Sequence, residues 1–353
     1  MKFAKLTALL IIPILLLAAG CERKVVNEVV EMQESSAVAC FECHGDHVTE
    51  ILDAQLQYEE SAHGTGDTYN ENRNNDSYYA SCEACHTHEG FVASVDDDFV
   101  HDNTDFGRIN CFTCHAPHSN GDFGLRSEEA VTLEDGVTVY DKNSSNLCVA
   151  CHHSRRDAVS YVEGTDELST HFGPHHGPQS DMLLGVNAWE FDGYDFDDNS
   201  AHTNTTANGC LDCHMVDYLY GTGGHAFFMA NEEFEYENTK GCNVETCHNG
   251  DIDEFDVDGK MTEIDDMMDE LQGLLISADL LVWNDEDGAY EPPDGQPITS
   301  ADSAGAVYNY IFVREDRSHG IHNFDYAEAL LEATIEFMTP DVVLFKPVPL
   351  ASH

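Results

Sequence analysis

Basic residues are scarce in this chain. Fifteen lysines and arginines stand against 67 aspartates and glutamates, a formal net charge of −52. Phosphate backbones are gripped by basic surfaces, so nucleic acid is excluded as a partner. Anionic lipid headgroups are a poor docking surface for the same reason. Long apolar runs are equally scarce. Beyond the first 20 residues nothing approaches the roughly 20 consecutive apolar residues a membrane-crossing helix needs. Carboxylates at this density suit a saline medium, where they stay hydrated and their mutual repulsion is screened.

Cysteine and histidine, in contrast, are plentiful and ordered. Five times, two cysteines separated by two residues are followed directly by a histidine: Cys40, Cys43, His44; Cys82, Cys85, His86; Cys111, Cys114, His115; Cys148, Cys151, His152; and Cys210, Cys213, His214. A stretched sixth copy has four residues between Cys242 and Cys247, then His248. Together the copies use twelve of the thirteen cysteines. The pattern is the covalent attachment site of c-type haem: two thiols add to the porphyrin vinyl groups, and the next residue turns its imidazole to the iron. A disulfide framework or three four-cysteine zinc sites would also use twelve thiols. Neither requires a histidine after every second cysteine. The sixth copy demands a looser loop, with a disulfide as its alternative.

The thirteenth cysteine closes an export signal. Lys2 and Lys5 precede an apolar run from Leu6 to Ala19, interrupted by Pro13, and then Gly20-Cys21. The segment Leu17-Ala18-Ala19-Gly20-Cys21 resembles the cleavage box of bacterial lipoproteins, with Ala18 where leucine is commoner. That resemblance implies lipidation of Cys21 and anchoring in the periplasm, the outer membrane or at the cell surface. Without the two leader lysines the chain carries 13 bases against 67 acids, a net charge of −54.

Low-spin haem iron takes a second strong ligand, usually imidazole. Six attachment histidines leave fourteen of the twenty, enough for every iron. His47 and His118 follow their motifs by three residues, a step that aims them at a neighbouring haem. His63, His202, His225 and His322 are the other candidates, the last in Ser318-His319-Gly320-Ile321-His322-Asn323. His88 and His153 lie closer to their own motifs. His171, His175 and His176 form a cluster, with Arg155 and Arg156 nearby in sequence.

The organisation reads as a leader (1–20), a tether (21–38), a hexahaem-binding domain (39–250) and a C-terminal helical region (251–353) packing on the haems. Motif spacing is too irregular for a solenoid. Asn70 to Asp76 and Asp96 to Asp105 read as loops. Apolar residues Ile264, Met267, Met268, Leu271, Leu274 and Leu275 recur at helical spacing after a candidate cap at Thr262. Ser300 to Val313 and Asn323 to Met338 are two further helices. Glu254 to Gly259, with Asp265, faintly echoes a calcium loop, against the plainer reading of an acidic turn. The fold class expected is mainly α with extensive coil, wrapped around a chain of haems.

On these motifs the chain resembles the multihaem c-type cytochromes over residues 39–250, and most of all the branch with doubled attachment motifs. That branch is related to tetrahaem cytochromes and to the multihaem nitrite and hydroxylamine enzymes. The stretch from Cys111 to His118, with Pro117-His118, and the segment from Ser318 to Asn323 match arrangements in it. The resemblance implies six haem c groups in close-packed pairs carrying electrons along the chain. It also implies redox protein partners, basic ones given this charge, and allows a polymer. The competing function is reduction of a small nitrogen or sulfur oxyanion at one open iron, with the His171, His175, His176 cluster and its arginines gathering the anion. The lysine-bearing motif frequent in nitrite reductases is absent.

Overall fold

The computed structural model describes residues 49–67, 69, 82–96, 98–100, 106–120, 122–196, 200–285 and 288–339. The leader, the tether, Cys21, the first attachment motif, His47 and the loop from Asn70 to Asp76 lie outside these residues.

Four of the described attachment motifs carry a single helical turn, joined by coil. Glu83–His86, Cys111–Cys114, Asn146–Val149 and Leu211–His214 are each four residues long. Such short turns need local fixation. Around Cys111, Asn110 supplies it: its side chain accepts from the Phe112 N–H at 2.9 Å, while its own N–H donates to Thr113 Oγ1 at 3.0 Å. Regular structure is otherwise modest. Helices α1 (Thr49–Glu60) and α2 (His88–Val95) come early, and three two-stranded antiparallel hairpins punctuate the coil.

Long helices gather late: α3 (Lys260–Ser277), α4 (Ala301–Asp316) and α5 (Phe324–Met338). α4 is buried almost all round. Val307, Tyr308, Phe312, Leu330, Leu331, Leu271 and Leu275 form the centre of one apolar core, and Ala158, Val162, Leu168 and Met182 join it from the other side of residue 250. Each large side chain buried there contributes about 1.5–3 kcal/mol. A smaller core of Leu133, Tyr140, Val149 and Leu183 backs the fourth motif. Among the described residues no helix is long and apolar enough to cross a membrane.

Two boundaries differ from the expectation. α3 starts two residues before Thr262, because Asp256 does the capping: its carboxylate accepts from the Met261 N–H at 2.8 Å and the Thr262 hydroxyl at 2.6 Å. This acidic turn holds a helix end, and among the described residues no group of three or more histidines, cysteines or acids is arranged to hold a metal ion. α4 runs three residues past Val313 and stops where Arg317 turns left-handed (φ 59°). The extra turn matters, because Glu315 and Asp316 lie in it.

Candidate multihaem site

Each described attachment motif closes the same way. The backbone N–H of the histidine donates to the carbonyl of the first cysteine: His86 to Cys82 at 3.1 Å, His115 to Cys111 at 2.9 Å, His152 to Cys148 at 2.9 Å and His214 to Cys210 at 2.9 Å. The stretched copy keeps this closure, His248 to Cys242 at 3.0 Å, and loops its two extra residues outward. All ten described motif cysteines are free of disulfides, Cys242 and Cys247 included.

Opposite each of these five histidines stands a second imidazole. Ring centres are 6.0 Å apart for His152 and His63, 6.0 Å for His86 and His175, 6.2 Å for His115 and His225, 6.4 Å for His248 and His202, and 6.4 Å for His214 and His322. Two imidazoles bound to one metal at about 2 Å each set their ring centres about 6 Å apart, so the donor set fits haem iron.

The back of many of these rings is fixed. Nδ1 of His115 meets the Phe123 carbonyl at 2.7 Å, that of His214 the Phe227 carbonyl at 2.9 Å, and that of His202 the Ile321 carbonyl at 2.5 Å. His152 Nδ1 lies 3.2 Å from Gln179 Oε1, and the Gln179 amide nitrogen donates to the Glu315 carbonyl at 2.9 Å. His322 Nδ1 lies 2.6 Å from Asp316 Oδ1. A hydrogen-bonded Nδ1 leaves Nε2 to face a metal. Burial, with His152 close by, lowers His63 to about 4, and burial with His176 and His86 lowers His175 to about 4. Both therefore stay neutral, as ligands must. Buried donors without a partner, Arg126 Nε and Asn323 Nδ2, suit the carboxylates a porphyrin carries.

The motifs also touch one another. Cys85 Sγ reaches the Ala150 carbonyl at 3.7 Å and Cys151 Sγ the Ala84 carbonyl at 4.0 Å, a reciprocal contact between the second and fourth motifs. The Cys85 and Cys151 thiols lie near each other, as do those of Cys148 and Cys210 of the fourth and fifth. Cys114 of the third motif lies within electrostatic reach of Cys148, and Cys213 of the fifth within reach of Cys242.

No family model matches the chain. It is 26% identical over 230 residues to the C-type polyheme cytochrome OmcB of Geobacter sulfurreducens, in strains DL-1/KN400 and PCA alike. The match covers 52% of this chain and 28% of the relative, so the chain spans well under half of that curated protein. The chain is thus similar in sequence to a multihaem c-type cytochrome over about half its length. The fold agrees: the Outer Cell Wall Cytochrome OcwA superposes over 81% of this chain and 50% of its own, with a TM-score of 0.52 and 19% identity. An undecahaem cytochrome from the S-layer of Carboxydothermus ferrireducens gives a TM-score of 0.44 at 18% identity over 78% of this chain and 40% of its own. Haem c is the cofactor of such cytochromes, and the helix-rich, coil-rich architecture is theirs.

Of the sequence-derived partners, His63, His202, His225 and His322 face the histidines of these motifs. His118, on Pro117–Asn120, stacks on Phe112 with ring centres 6.0 Å apart. His175 was missed as a partner. The signal was its tight Gly173-Pro174-His175-His176-Gly177-Pro178 setting, which bends the backbone so that His175 adopts φ 78°. Other members of its cluster, and the arginines near it, have partners of their own. His176 Nδ1 pairs with Glu315 at 3.1 Å, Arg155 reaches the Cys85 sulfur, and Arg156 lies 5.1 Å over the Tyr161 ring. Burial pushes Glu315 up, but His176, Arg314 and Arg317 outweigh it and bring it down to about 2. His88 and His319 are engaged with Thr113 and Asp265.

Proposed function

We propose that this cytochrome is an electron conduit: an exported protein that relays electrons through six haem c groups, each iron held between two imidazoles. The observation that carries the proposal is the opposition of five attachment histidines to five second imidazoles at 6.0–6.4 Å. Iron gripped on both faces leaves no position for a substrate, so these sites suit transfer rather than turnover. For the first motif, Cys40, Cys43 and His44, the candidates still to be matched are His47 and His118.

Bound haem supplies the one-electron chemistry. The chain supplies the rest. The cysteine pairs of the six motifs tie the cofactor edge. Carbonyls of Phe123, Phe227 and Ile321 hold the imidazoles in orientation. Contacts between the second and fourth motifs, and between the fourth and fifth, keep neighbouring attachment sites close enough to form one relay, with the third and sixth alongside. We assign the layout as leader 1–20, tether 21–38 with a lipid anchor at Cys21, haem domain 39–250 and a closing helical region 251–353. The fold likeness to a cytochrome named for the outer cell wall favours the outer membrane or cell surface. The charge of −52 favours a basic redox partner.

Low-temperature electron paramagnetic resonance on the oxidised, haem-loaded protein tests the reading, with intact mass giving the haem count. The expected result is six haems and low-spin signals alone. A high-spin haem that shifts with nitrite or hydroxylamine overturns the conduit in favour of a reductase.

A further inference from the structure

The end of α4 serves three sites. The Glu315 carbonyl fixes Gln179 behind His152, the Glu315 side chain pairs with His176, and Asp316 stands behind His322. The last of these differs in kind from the other acceptors behind the facing histidines. Phe123, Phe227 and Ile321 present peptide carbonyls and Gln179 an amide oxygen, whereas Asp316 presents a carboxylate. Asp316 is 2% exposed, so water screens it little. Its Oδ1 lies 2.6 Å from His322 Nδ1, and its Oδ2 accepts the Ser318 hydroxyl. The Ser318 oxygen in turn accepts from the His322 backbone N–H at 3.2 Å, so Asp316, Ser318 and His322 form one closed unit. His214, across the pair, also lies within electrostatic reach of Asp316.

From this geometry we infer that Asp316 tunes the haem held by His214 and His322, lowering its reduction potential below what a neutral acceptor behind His322 would give. The inference rests on the bis-histidine reading above and goes beyond it by setting one site apart. Two effects act in the same direction. A carboxylate bonded to Nδ1 makes the imidazole a stronger donor. A fixed negative charge in poorly screened surroundings also favours the more positive, oxidised iron. Neutral carbonyls do neither to the same degree. Asp316 is a positioning residue that acts through His322. Ser318 moderates it by holding the other carboxylate oxygen.

The test is stepwise potentiometry of the haem-loaded protein at a single pH, with haem content and low-spin signals checked in each variant. In D316N one redox step moves to higher potential while the others stay. In S318A the same step moves lower, because the carboxylate loses a competing hydrogen bond. D316E restores the wild-type step. No movement in either variant, or a shift spread evenly over all steps, overturns the inference. If D316N does not mature, the direction of the S318A shift decides alone. H322A separates this inference from the reading beneath it. If a high-spin haem fails to appear in H322A, the axial reading falls and the tuning with it. If it appears while D316N and S318A leave every step in place, the tuning alone falls.

Discussion

A histidine's sequence surroundings say little about which iron it serves. His63 precedes the second motif yet faces His152 of the fourth, and His225 lies between the fifth and sixth motifs yet faces His115 of the third. His175 and His171 show how finely such roles divide within one cluster. The left-handed backbone at His175 aims its ring at His86, while His171 meets no attachment histidine among the described residues. H175A is therefore expected to turn one haem high-spin with haem content unchanged, and H171A to leave the spectrum as it was. Paramagnetic resonance of the two variants side by side is the measurement. A high-spin signal in H171A alone would reverse the assignment.

At the scale of elements, the attachment turn is a module whose third position decides how close its neighbour comes. Ala84 and Ala150 occupy it in the second and fourth motifs, and their carbonyls receive the partner motif's thiols at 4.0 and 3.7 Å. Both alanines are half-buried at this contact, so a larger side chain crowds the facing turn. Ala150→Leu should cost about 1–3 kcal/mol through overpacking. It should also slow reduction of part of the haem complement in stopped-flow mixing while haem content holds. Equal rates in wild type and variant would count against the contact as a step in the relay. The loop from Arg317 to Asn323 is a second module. Gly320 turns at φ 87°, and a Cβ there would lie 2.8 Å from Ile264 Cγ1. Only glycine lets this loop lie against α3 and still deliver both the Ile321 carbonyl to His202 and His322 to His214.

Over the whole molecule, charge and cofactor oppose each other. Sixty-seven acids repel one another across the fold, with few bases to offset them. Described ion pairs are few and centre on Arg314, which meets Glu291 at 3.2 Å and Glu315 at 3.0 Å. Raising sodium chloride from about 0.01 M to about 1 M shortens the screening length from roughly 30 to 3 Å. The thermal midpoint of the haem-loaded protein should therefore rise over that range, and its binding to a basic redox partner should weaken. A midpoint that is flat or falling with salt, read by circular dichroism, would show that self-repulsion is not a main cost.

The late helices and the coil-rich, helical fold class were legible in the chain because each depends on neighbours a few residues away. Thiol spacing, a capping side chain and a helical apolar stripe are local facts. The start of α3 and the end of α4 were not legible, since Asp256 caps the first and the left-handed Arg317 ends the second, both outside the periodic pattern. Which imidazole meets which was decided only in three dimensions. Those pairings join residues up to 110 positions apart, as with His115 and His225. They depend on how α4 and its loop dock in the apolar core, and no local pattern encodes that docking. Asp316 follows the same rule: in sequence it is one acid among 67, and burial beside His322 is what singles it out.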